Sequence, residues 1–266
     1  MNAATLPLAR EGFHAPSIEE FEWPTIVDIH VFGIDLSINR VVLQMFLVVL
    51  LVWGLFFFGF RKPKLVPFGL QNVMESVVDF VRNQIALEVI GRDGLRFVPY
   101  LTTLFCFVFL ANVGGITPPV FFPLTGRMAL PAIMAICSLL LFISVGISQQ
   151  GFGTYFRNTL FPPGMPWPIY ILLTPIELIS TFIVRPVTLA IRLLANMIAG
   201  HLILSVFFVA SGYMLTSMNI STVFGVGALI FSVALIAFEL FVAGLQAYVF
   251  TILSAVYIAG AMEPEH

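Results

Sequence analysis

Charge is what this chain has least of: of its 266 residues 10% are Asp, Glu, Lys or Arg, against about 25% in soluble globular domains. So little charge cannot cover a solvated surface. With 59% hydrophobic residues and a mean hydropathy of +1.03, the chain reads as an integral membrane protein. Twelve basic residues face fourteen acidic ones, for a net charge of −2. That excludes a nucleic-acid partner, because a phosphate-binding surface needs Lys and Arg clustered in excess. Cysteine is nearly absent. Cys106 and Cys137 both sit in apolar runs, so they read as small core hydrophobes and not as a disulfide framework. A signal peptide is not expected either, since Arg10, Glu11 and Pro16 stand where its apolar stretch would be. No phosphate loop, metal-ligand cluster or Ser/His/Asp set is visible, so no catalytic site, metal or cofactor is expected in this chain.

What the chain does have is apolar length. Six acids precede Leu36 (Glu11, Glu19, Glu20, Glu22, Asp28, Asp35), with Pro7, Pro16 and Pro24 among them. Residues 1–40 therefore read as an irregular, solvated arm. Val41–Phe60 is an uncharged run, long enough to cross a ~30 Å hydrocarbon core as a helix. Six of the twelve basic residues follow between Arg61 and Arg96. By the positive-inside rule loop 61–96 is cytoplasmic and the N-terminus lies outside. Within it Leu70, Val73, Met74, Val77, Val81 and Ile85 recur at helical spacing, the pattern of an amphipathic helix on the cytoplasmic surface.

Residues 97–156 read as a two-span hairpin, turned outside near Pro118, Pro119, Pro123 and Arg127. A cytoplasmic Gly- and Pro-rich loop, 157–167, follows. From Asn158 to Met262 there are four formal charges: Glu177, Arg185, Arg192 and Glu239. The polar stretch Ser211–Ser221 divides residues 168–262 into two segments of roughly 43 residues, each ~64 Å long if helical. Such helices cannot cross a ~30 Å core at the usual ~20° tilt. Either each breaks in two, or they form a steeply tilted hairpin, disturbed at Pro186. The tilted hairpin is the expectation, and it leaves the acidic tail 263–266 in the cytoplasm. The fold class is thus an all-α polytopic membrane protein with about five membrane helices and a surface amphipathic helix.

Charges at bilayer depth cost roughly 2.5–3.5 kcal/mol each and mark ion paths or buried pairs. At 100° per residue Arg185, Arg192, Asn196 and Ala199 fall within about 40° of one direction, with Ala195 near by. One face therefore carries a cation, an amide and small residues that admit a partner helix. His201 falls on the opposite side, and on the last segment Ser232, Glu239, Gln246 and Tyr257 form a polar stripe. Arg192 is a poor proton carrier and a permanent counter-charge, whereas Glu177, Glu239 and His201 can bind and release protons. A purely structural reading stays open: with a hairpin turn centred near residue 215, Arg192 and Glu239 would lie at similar depth and could pair. His201 could be a core histidine, Arg185 an interfacial cation, and Asn196 and Gln246 interhelical glue.

The run Arg185-Pro-Val-Thr-Leu-Ala-Ile-Arg192-Leu-Leu-Ala-Asn196-Met-Ile-Ala-Gly200-His201 resembles the signature of subunit a of F-type ATP synthases. Supporting matches are Pro175-Ile-Glu177-Leu-Ile-Ser180, Leu110-Ala-Asn112 with Gly115 and Pro118, and Leu245-Gln246-Ala247-Tyr248-Val249-Phe250 with Tyr257. The resemblance spans roughly residues 41–262. It implies a stator beside a rotating ring of c subunits, each bearing one membrane carboxylate, with b-type peripheral stalk subunits and a soluble head as further partners. It also implies two aqueous half-channels, with Arg192 between them as the essential arginine facing the ring. Glu177, Ser180, Asn196, His201, Glu239, Gln246 and Asn112 match polar channel positions. His201 and Glu239 stand as an exchanged acid and imidazole pair. The coupling ion is expected to be H⁺ and the location a bacterial plasma membrane. A secondary transporter binding a small anion at Arg192 is the competing class, although no internal repeat of the kind such folds carry is visible. An intramembrane enzyme would need a nucleophile and base that do not stand out.

Overall fold

The computed structural model describes residues 30–31, 34–35, 40–116, 124–161, 167–216 and 221–262. Most of the expected arm lies outside these, as do Pro118, Pro119, Pro123, the prolines 162, 163 and 166, and the tail 263–266. Within the arm, β1 (His30–Val31) and β2 (Ile34–Asp35) form a minimal antiparallel pair. Everything else regular is helix, and five stretches are long and apolar enough to span a membrane.

α1 (Arg40–Phe60) buries Gln44, Val48 and Val52, one residue per turn, and turns Phe46, Leu47, Leu50 and Trp53 outward. α2 (Leu70–Val81) carries the amphipathic pattern and runs into a π-helical segment, Arg82–Ile90. Its apolar face is covered by protein: Met74, Val81, Ile85 and Ala86 are buried, while Leu70 and Val73 remain exposed. At Gly59 a β-carbon would stand 3.1 Å from the Met74 side chain, so the end of α1 packs closely on α2. α3 (Val98–Val113) and α4 (Ala129–Gln150) both pack against the last helix of the chain, Ser221–Met262. Of the two cysteines Cys106 is buried and Cys137 exposed, and both are free. The reading of Cys137 as a core residue is therefore wrong; it sits on the outer side of α4, and an apolar run alone does not say which side of a helix is packed.

The connection after α4 is more ordered than its glycines suggest. Gly151 takes a positive φ of 82° and α5 (Phe152–Leu160) follows. Tyr155 is buried with its ring against Gly146, where no side chain stands in the way, so α5 folds back on α4.

α6 (Trp167–Ile179), a π-helical turn (Ser180–Val184) and α7 (Arg185–Thr216) make one continuous helical run. Pro186 explains the π turn. It has no N–H for the carbonyl four residues before it, and the ladder widens there instead, with the Arg185 N–H donating five residues back to the Ser180 carbonyl. α8 (Ser221–Met262) has 42 residues, ~63 Å at 1.5 Å per residue. Neither long segment breaks in two. To stay within a ~30 Å core they must incline by about 60°, as expected for a steeply tilted hairpin.

The apolar core has two parts that share α3, α4 and α8. α8 enters both through Ala247, Phe250, Ala255, Ile258 and Ala261. Small residues at these intervals let its second half approach the bundle closely. Its first half, before Ala243, buries little among the described residues.

Candidate functional site

Four contacts set the register of α7 against α8. Phe207 and Phe231 pack with ring centroids 4.7 Å apart. A β-carbon on Gly225 would lie 3.0 Å from the Met214 side chain, and one on Gly200 would lie 3.0 Å from Glu239 Oε1. The Arg185 guanidinium stands 5.4 Å from the centre of the Tyr257 ring. Glu239 is therefore level with Gly200, and the turn of α8 that begins at Gln246 is level with Arg192. This overturns the alternative in which Arg192 and Glu239 pair at one depth. Gly200 lies eight residues beyond Arg192, ~12 Å along the helix. The hairpin closes later than residue 215, because α7 continues to Thr216 and α8 starts at Ser221.

At the level of Glu239 the helices enclose a cavity of about 210 Å³. Asn112 from α3, Asn196 and His201 from α7, and Glu239 from α8 line it, with Gly200 between them. Asn196 and His201 point about 140° apart on an ideal helix, which is why the sequence sets them on different faces. Both reach the same cavity because Gly200, between them in direction, has no side chain and leaves the groove wide enough for the Glu239 carboxyl. Asn112 is 2% exposed. Its Oδ1 accepts a 2.7 Å hydrogen bond from Thr125 Oγ1, while its buried Nδ2 has no partner. A buried amide donor without a partner carries a desolvation cost of about 1–3 kcal/mol, and the adjoining cavity is roomy enough to hold water.

Arg192 lies outside this cavity. It sits midway along the span Pro168–Thr216 and is exposed, as are Ala195 and Ala199 on the same face, Ala199 also bordering the cavity. A permanent cation has thus been placed at mid-span on the outer surface of the chain, flanked by small residues. Gln246 is 8% exposed, and its Nε2 is buried without a partner. Glu177 and Ser180 are half-buried on the other side of Arg192 from the cavity, 15 and 12 residues before it, so ~22 and ~18 Å along the helix. The structure therefore brings Asn112, Asn196, His201 and Glu239 together and leaves Glu177 and Ser180 apart from them. Arg185 is half-buried with its guanidinium over the Tyr257 ring, a contact between α7 and α8.

Five side chains carry little signal in the sequence. Thr125 holds Asn112 from a short 3₁₀ turn, Leu124–Gly126. Thr181 places a buried, unpartnered hydroxyl in the π turn next to Ser180. Tyr100, Ser138 and Ser254 form a hydrogen-bonded chain across α3, α4 and α8, at 3.1 and 3.4 Å. Single hydroxyls inside apolar runs hardly alter hydropathy, so only spacing on a known packing face could have exposed them.

The family model described as ATP synthase A chain matches residues 42–259. Curated relatives agree over nearly the full length. ATP synthase subunit a of Frankia alni is 46% identical over 96% of this chain and 88% of its own length. The corresponding protein of Rhodococcus erythropolis is 42% identical over 97% and 94%, and that of Parvibaculum lavamentivorans 35% identical over 96% of both.

Proposed function

The chain belongs to the ATP synthase A chain family, and from that premise we propose that its outer α7 face and its inner polar cavity work as the two parts of a proton-driven stator. As a member it is the membrane, proton-translocating and non-catalytic subunit a of an F-type synthase, a multi-pass bacterial membrane protein in complex with the other subunits. Membership sets the transporter and intramembrane-enzyme readings aside. The finer roles rest on the geometry. The observation that carries them is the position of Arg192: mid-span, exposed on this chain, and separated along the helix from the titratable cavity at Glu239.

An exposed guanidinium at that depth needs a partner of opposite charge, because lipid does not solvate it. The c-ring supplies one, a carboxylate carried past α7 at each step. Ala195 and Ala199 leave room for the ring helix. Facing Arg192, that carboxylate is held ionised, since a cation within a few Å lowers its pKa. On moving away it takes a proton from one half-channel or has just given one to the other. The cavity of Asn112, Asn196, His201 and Glu239 is one half-channel, its acid and imidazole passing the proton and its amides holding water. Glu177, Ser180 and the Thr181 hydroxyl line the approach from the opposite direction. Gln246, level with Arg192, is positioned to orient the guanidinium or the carboxylate it meets. With six basic residues in 61–96, the positive-inside rule puts that loop in the cytoplasm, the N-terminus outside and the C-terminus inside. The cavity, nearer the α7–α8 turn, then opens outward. The b-type stalk subunits hold the chain against the ring's rotation, and the soluble head receives the torque.

The test is ATP-driven proton pumping and passive leak in inverted vesicles carrying Arg192→Ala, with assembly checked by copurification of ring and head. Pumping lost in an assembled complex, with raised leak, is expected. Normal coupled pumping would return Arg192 to a structural role.

A further inference from the structure

The connection between α1 and α2 runs from Arg61 to Gly69 and contains both lysines of the chain, Lys62 and Lys64, beside Arg61. With Phe58, Phe68 and Gln71 these cations line a cavity of about 460 Å³. All three are exposed, and among the described residues no carboxylate pairs with any of them. Lys64 is tied to the first turn of α2. The Lys64 N–H donates to Gln71 Oε1 at 3.1 Å, and Gln71 Nε2 donates to the Lys64 carbonyl at 3.0 Å and to Glu75 Oε1 at 2.7 Å. α2 starts at the same cavity through Leu70, without a side-chain cap, so its N-terminal dipole adds positive potential there.

The neighbouring side chains decide between ligands. Leu65, Val66 and Phe68 are 104%, 80% and 89% exposed, directly after three cations and at the end of a membrane span. A free phosphate would use the cations and leave these three in water. A lipid with an anionic headgroup uses both sets, the head on the cations and the acyl chains along the apolar side chains. We propose that this connection binds an anionic phospholipid, with its phosphate between Arg61, Lys62 and Lys64 and its chains against Leu65, Val66 and Phe68. The bound lipid joins the end of α1 to the start of α2.

The two lysines make the test specific. The whole complex is reconstituted into vesicles of phosphatidylcholine alone, or with phosphatidylglycerol added, and acylation of Lys62 and Lys64 by an amine reagent is followed by peptide mapping at high salt, where surface potential is screened. Acylation several-fold slower with phosphatidylglycerol, and unchanged by inorganic phosphate in phosphatidylcholine vesicles, is expected. The variant Arg61→Gln, Lys62→Gln, Lys64→Gln should hold phosphatidylglycerol roughly fivefold more weakly per charge removed. Equal acylation in the two vesicle types would overturn the proposal. Protection by inorganic phosphate alone would replace it with a phosphate site. Protection independent of lipid, and relieved by stripping the peripheral subunits, would replace it with a protein contact. The acylation is read on the wild-type complex, so a variant that fails to assemble leaves the test intact.

Discussion

α1 and the helix running through α6 and α7 both bury few of their residues, yet they turn different chemistry outward. α1 shows Phe46, Leu47, Leu50 and Trp53, a surface that lipid satisfies completely. α7 shows Arg192, Ala195 and Ala199: a charge that costs roughly 2.5–3.5 kcal/mol in hydrocarbon, beside side chains too small to fill space. Exposure in a membrane chain thus has two meanings. On the proposed function the large apolar face ends at lipid, and the small-residue face with its charge ends at protein.

The sharpest way to break this comparison is to change the charge while keeping its sign. Lys loses its proton when desolvated and lacks the planar fork, so Arg192→Lys should abolish coupled pumping, a hundredfold loss or more in inverted vesicles, with the complex still assembled. Bulk on the same face comes next. Ala195→Trp should lower ATP-driven pumping at least tenfold, whereas Leu47→Trp on α1 should leave it within twofold. Agreement between those two variants would mean that both faces meet lipid. Inside the cavity the expected effect is smaller. Gly200→Ala puts a methyl 3.0 Å from Glu239 Oε1 and should slow pumping several-fold. Adding Glu239→Asp, one methylene shorter, should recover part of that loss, a non-additivity read by a double-mutant cycle. Smallest is Thr125→Val, which removes the 2.7 Å donor to Asn112. It should cost about 1–3 kcal/mol of stability, read as a lower melting temperature of the detergent-solubilised complex.

Most of the fold was legible because membrane spans are written in hydropathy: Val41–Phe60 is a run without charge, and the two long C-terminal segments are apolar runs interrupted by Glu177, Arg185, Arg192 and Glu239 alone among charged residues. That Asn112, Asn196, His201 and Glu239 share one cavity was not legible. Hydropathy does not mark where a hairpin turns, and a shift of a few residues in that turn decides whether Arg192 faces Glu239 or the Gln246 turn. Helical angles also misled over His201 and Asn196, because a wheel treats every residue as equal in size, and Gly200 opens the space between them. α5 was masked by the glycines around it, although Gly151 is the hinge that starts it.

The central claim is that the α7 face at Arg192 is covered by the ring. Cys137 is first replaced by Ser, since it is exposed. A cysteine at Ala195 or at Leu47 is then paired with one beside the ring's carboxylate, and disulfide formation is scored in native membranes. Cross-linking is expected from Ala195 and none from Leu47. Cross-linking from Leu47, or from neither, would contradict that claim.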